Sequence, residues 1–111
     1  MMEEIMGKVV SIEGVIACYL VDREGEIIGQ MGNDKLDKSM SAAVIASVTK
    51  ELSTQMNILD NFSITVMARK KNLFIVAQKN FILAVFTNAN IDTGKIRFEL
   101  RRCVKAVSEE L

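Results

Sequence analysis

The chain has 111 residues, half of them hydrophobic and a quarter charged, with 14 basic side chains matched by 14 acidic ones. This is the balance of one globular domain spanning residues 1–111, built on a single core. With no net charge and no histidine, it has no strong field to attract nucleic acid, and it lacks the usual neutral-pH proton shuttle and the commonest metal ligand.

The amino terminus, Met1-Met2-Glu3-Glu4, is acidic and leads into no long apolar run. Neither a secretory signal nor a membrane span is expected, and the cytoplasm is the default location. Residues 3–13 read as a first helix, with Ile5, Val9 and Ile12 at helical spacing and Glu3 and Glu4 at its positive end. Gly14 ends it. The stretch Gly14–Gly32, GVIACYLVDREGEIIGQMG, then reads as a β-hairpin. Its first strand, Val15–Val21, is apolar throughout apart from the polar atoms of Cys18 and Tyr19, so it needs cover on both faces. The turn Asp22-Arg23-Glu24-Gly25 fits a type I turn closed by a glycine at positive φ, and a second strand follows over 26–31.

Asn33 and Asp34 offer capping oxygens for a long helix from about Lys35 to Asn57. Leu36, Met40, Val44 and Val48 form one apolar stripe, read as the core face. Ile45, Leu52 and Met56 form a second, roughly 80–100° around the axis. One sheet face needs only the first stripe, so the second should meet another surface, and a copy of the same chain is the economical candidate.

After Asp60-Asn61 the period becomes two. Phe62, Ile64, Val66 and Ala68 point one way, and Ser63, Thr65, Met67 and Arg69 the other. The runs Leu73–Ala77 and Phe81–Thr87 are almost continuously apolar, and short polar connections make the three strands an antiparallel meander. Only the first of them alternates clearly, which places it at an edge. A last helix starts near Asn90–Asp92. Ile96, Leu100, Cys103, Val107 and Leu111 form its core stripe, with Arg97, Arg101, Arg102, Lys105 and Glu109 in water and Phe98 off the stripe. The order is α-β-β-α-β-β-β-α. The expected fold is α/β of the α+β type, a five-stranded antiparallel sheet between one long helix and two helices on the other face.

Enzymatic signatures fail one by one. Any Ser–His or Cys–His nucleophile is excluded without histidine. Asp22, Glu24 and Glu26 share a turn where solvation is the plain expectation. Gly94-Lys95 lacks both the upstream glycine and the following Ser or Thr of a phosphate loop. Asn88, Asn90 and Asp92 begin like a calcium loop, but its glycine and terminal glutamate are misplaced. Arg69-Lys70-Lys71 reads as a solvated hairpin tip. Cys18 and Cys103 sit in apolar contexts and read as two buried free thiols rather than a disulfide. No catalytic residue, cofactor or metal is expected. Among the methionines, Met6 and Met40 are assigned to core gaps, Met56 and Met67 to a partner surface.

Several segments together resemble the roadblock / dynein light chain domain family. They are Gly14-Val15 leading into the first strand, Leu20-Val21-Asp22 with Gly25, and Ala42-Ala43 in the long helix. The meander ending FILAVFTNAN and the helix opening Thr93-Gly94-Lys95-Ile96-Arg97 complete the set. Asn61 and Asn80 stand where many members have glycine. The resemblance implies a homodimer in which the third strands pair at the sheet edge and the long helices lie side by side. Residues 26–31 then form the opposite edge, and Val15–Val21 lies inside. The implied interface takes in Ile45, Leu52, Met56, Ser63, Ile64, Thr65, Val66, Met67 and Arg69. The resemblance further implies a non-catalytic module that binds a Ras-like small GTPase and modulates its nucleotide state, with Lys38, Thr49 and Ser53 on the long helix as contacts. The alternatives are a scaffold or motor-associated adaptor without effect on nucleotide turnover, and a small-molecule sensor.

Overall fold

A computed structural model describes residues 2–33, 35, 37–58 and 60–111. The elements are α1 (Met2–Val10), β1 (Val15–Val21), β2 (Ile27–Gly32), α2 (Lys38–Met56), β3 (Phe62–Met67), β4 (Lys71–Ala77), β5 (Ile82–Asn88) and α3 (Thr93–Glu110). They follow the expected order and form one antiparallel sheet, β2-β1-β5-β4-β3. β1 is interior, and β2 and β3 are the two edges.

Apolar strands are covered on both faces because two clusters form, one on each side. Met6 and Val9 of α1 and Ile96, Leu100, Cys103 and Val107 of α3 pack on Cys18, Leu20, Phe74, Leu83 and Val85. On the other face Ala42, Ile45 and Ala46 of α2 pack on Ala17, Tyr19, Val21, Ile75, Ile82 and Ala84. Tyr19 meets Phe86 edge to face at 5.9 Å between ring centroids. β1 carries a bulge between Val15 and Ala17, where its register against β5 shifts by one residue. Val15 thus packs with the α1/α3 cluster, while both Ile16 and Ala17 belong to the α2 side.

The hairpin turn forms as its residues dictate. The Asp22 carboxylate accepts from the backbone N–H of Glu24 (3.0 Å) and of Glu26 (2.9 Å), and Gly25 takes φ +93°. A Cβ on Gly25 would lie 3.3 Å from Ala43 Cα, so the turn tip presses on α2. Arg23 Nε donates to the Gln78 carbonyl at 2.8 Å and ties this tip to the β4–β5 turn.

Several local expectations are corrected. The N-cap of α2 is Asp37, whose carboxylate accepts from Met40 N at 3.1 Å. Asn33 instead donates its backbone N–H to Ile16 and extends the hairpin. The cap role given to Asp34 and the core role given to Leu36 lie outside the described residues. The C-cap, Asn57, has φ +53° and is the only non-glycine residue at positive φ among those described, so Asn61 and Asn80 do not use that freedom. Leu111 caps α3 in solvent rather than closing its core stripe.

Gly32 is the tightest backbone position. Its φ is +107°, and a Cβ there would meet the Ile16 carbonyl oxygen and lie 2.6 Å from Ala17 Cα. Both partners are backbone atoms of β1 and cannot swing aside. Gly32→Ala should therefore lower unfolding free energy by about 2–4 kcal/mol, read by urea denaturation.

Candidate interaction surface

The faces of α2 are reversed relative to the sequence reading. Its sheet side is made of Ser41, Ala42, Ile45, Ala46 and Thr49. Met40 (67 % exposed), Val44 (54 %) and Val48, expected in the core, point to solvent. Ile45, expected at a partner interface, is 1 % exposed and packs beneath the helix. The cause is space. Tyr19, Ile75 and Ile82 fill the sheet face, so small α2 residues give the closest approach, and the long side chains turn away. Of the other expected interface residues on this helix, Leu52 is half-buried and Met56 is exposed.

Thr49 is likewise corrected. It was expected to contact a partner, yet it is fully buried, with its hydroxyl donating to Ile45 O at 2.8 Å. Ser53 is half-buried and donates to Lys50 O at 2.9 Å, and Lys38 stands exposed in the first turn of α2. Ser53, Ala43, Ser47 and Lys50 line an open groove of about 650 Å³ that runs to Arg23 and Lys79.

The other side of α2, bearing Met40, Val44 and Val48, looks by helical phase toward the opposite ends of the strands. Near the Val15 end of β1, Ile16, Val66, Leu73 and Phe86 line a shallow depression of about 240 Å³, and among the described residues no helix side chain lines it. Fully burying side chains of this size is worth about 1.5–3 kcal/mol each. The depression therefore holds unused apolar surface beside the unpaired β3 edge, and the exposed α2 stripe adds more.

β3 presents two unlike faces. Its pairing sets Ile64 opposite Ile75 and Val66 opposite Leu73, on the α2 side. Ser63 and Thr65 stand opposite Val76 and Phe74, on the α3 side, and Met67 follows them by alternation. Val66 and Met67 are exposed, as is Arg69 in the β3–β4 turn. Arg69 does not lie with the apolar stripe of α2. It lines a polar depression with Lys70, Asn88, Asn90, Asp92 and Lys95.

That polar depression holds the residues weighed above for phosphate and calcium. Asp92 is the N-cap of α3, accepting from Lys95 N at 3.1 Å, and Asn88 donates its backbone N–H to Gly14 O. Capping and turn closure therefore account for two of them. Among the described residues no group of acidic, cysteine or histidine side chains could hold a metal ion, and no helix is long and apolar enough to cross a membrane. Cys18 and Cys103 are free and buried on the α1/α3 face. Burial, and then the neighbouring Cys103, raises the Cys18 thiol far above its ordinary range. Burial, and then Glu99, pushes Cys103 up to about 11.

No family model matches the sequence, and no curated protein is similar to it in sequence. Solved structures are similar in fold. A Roadblock/LC7 domain from Streptomyces avermitilis has a TM-score of 0.80 at 17 % identity, over 97 % of this chain and 95 % of that one. Myxococcus xanthus MglB has 0.87 at 14 % identity, over 97 % and 85 %. MglC from Myxococcus xanthus has 0.68 at 22 % identity over the whole of both chains.

Both thiols should be inert while the protein is folded. At about pH 8 a thiol-specific reagent should label neither cysteine within minutes, and both at once in denaturant. Rapid labelling of native Cys18 would contradict the packing of β1 described above.

Proposed function

Because the chain has the roadblock/LC7 fold, we propose that it is a non-catalytic homodimeric module that binds a Ras-like small GTPase and modulates its nucleotide state. The dimer is supported by an open β3 edge beside the depression around Val66, together with the exposed Met40–Val44–Val48 stripe of α2. Antiparallel pairing of two β3 strands satisfies both edges and brings these apolar surfaces together in one closed contact. On this reading Val44 and Val48 take the interface place first given to Ile45, beside Leu52, Met56 and the β3 residues.

The GTPase assignment rests on the family resemblance, and the fold supports it. Partner contacts fall on the long helices, where Lys38 and Ser53 remain available and Thr49 does not. The module supplies no catalytic group of its own. It acts by favouring one nucleotide-dependent shape of its partner through differential affinity. The scaffold reading differs only in lacking that differential.

Two measurements test these statements. Sedimentation equilibrium should give twice the chain mass of 12.3 kDa. The exposed-site pair Val44→Asp and Val66→Asp should give a folded monomer, and an unchanged dimer would refute the interface. A Ras-like small GTPase from the same organism, loaded with GDP or a non-hydrolysable GTP analogue, should bind with affinities differing by about tenfold, a coupling of about 1.4 kcal/mol. Lys38→Glu should weaken the tighter complex. Equal affinities would leave the scaffold reading in place.

A further inference from the structure

The flank of α3 that faces β3 carries Arg97 and Arg101, one helical turn apart and both exposed. Among the described residues neither makes a hydrogen bond or an ion pair. Glu99 lies on the far flank, 3.5 Å from Arg102, which also sits 5.8 Å from the Phe98 ring centroid. Beneath Arg97 and Arg101 a groove of about 190 Å³ runs between α3 and β3. Phe74, Val76 and Leu100 form its floor, and Ser63 and Thr65 its far wall.

The composition of that wall is informative. Strands beneath α1 and α3 present Cys18, Leu20, Leu83 and Val85 on this face. β3 presents hydroxyls there instead, outside the helical cover. A groove with an apolar floor, hydroxyls on one side and two unpaired guanidinium groups on the other complements a chain carrying both carboxylates and small apolar side chains.

We propose that this groove docks an acidic, extended peptide segment of a partner protein. Arg97 and Arg101 are about 6 Å apart along the helix axis. Alternate residues of an extended chain repeat every 6.7 Å or so, about the same interval. Two acidic side chains at i and i+2 therefore reach both guanidinium groups, with Ser63 and Thr65 donating to the peptide from the opposite wall. Lys105 continues the flank by one helical turn, and the basic stripe stops there. Glu109 and Glu110 close the end of α3, and the chain as a whole is neutral. A nucleic acid or an anionic membrane needs a wider field than one short stripe of three basic residues in a neutral chain. The far wall, Ser63 and Thr65, lies on the strand proposed to pair in the dimer, and that pairing would use β3 backbone groups rather than these hydroxyls. The inference does not rest on the GTPase reading, and a change in mass distinguishes loss of the dimer from loss of the peptide site.

The test uses the full chain and a fluorescein-labelled peptide of Glu-Ser-Glu-Leu repeats, read by fluorescence anisotropy. Wild type should bind saturably, and R97E/R101E should weaken binding by about tenfold or more. R97Q/R101Q should do so nearly as much, which guards against misfolding by charge reversal. The control K50E/K79E, on exposed lysines elsewhere, should stay within about twofold. Sedimentation of the same samples should show an unchanged mass. Absence of saturable peptide binding, equal weakening by the control pair, or tighter capture of phosphatidylserine vesicles or single-stranded RNA by the same arginines would overturn the proposal.

Discussion

The close seating of α2 on β1 and β5 determines most of what this protein shows to its surroundings. Tyr19, Ile75 and Ile82 rise from the sheet and occupy the space a helix would otherwise fill with its own long side chains. Only a face of Ser41, Ala42, Ala46 and Thr49, with Ile45 as the single large member, can approach that surface. The remaining apolar residues of α2 then have nowhere to go but outward. The exposed stripe is therefore a consequence of how the core is packed, and the surface proposed for a partner follows from the density of the sheet beneath it.

The same constraint explains which parts of the structure were legible in the sequence. Strands were, because continuous apolar runs such as Val15–Val21 admit few environments and their turn residues carry specific geometry. The edge position of β3 was legible from the alternation of Phe62–Met67. The core face of α2 was not. Size and hydrophobicity pointed to Met40, Val44 and Val48, while the decision was made by volume already taken on the facing strands. The small-residue pattern Ser41-Ala42-Ala46-Thr49 was the available signal, and it is read only by asking how near two elements must come. The cap was misplaced for a related reason. Asn33 is occupied by the hairpin, and Asp37 takes the first turn of the helix.

Two edges of one sheet are handled differently. β2 carries Gly29 and Gly32 and has α1 packed near it, with Met6 Sδ 3.0 Å from where a Gly29 Cβ would stand. β3 has none of these protections and bears apolar side chains on the α2 side. A strand edge left open beside apolar surface is a hazard unless it is used. The asymmetry between the edges separates an end of the sheet that the chain covers from one that it leaves open.

The bulge at Ile16 carries a consequence for how such a surface can change. One extra residue on β1 shifts the alternation, so two successive side chains, Ile16 and Ala17, lie on the α2 side, and Ile16 lines the uncovered depression with Val66, Leu73 and Phe86. The depression's makeup is thus set partly by chain length between Gly14 and Ala17, independently of any side-chain chemistry. Loss of one residue there would restore regular pairing of β1 with β5 and remove an apolar contributor from the patch, while β4 and β5 keep their own register. Insertions and deletions, normally confined to loops, here have a foothold inside a central strand from which they can retune the surface one residue at a time.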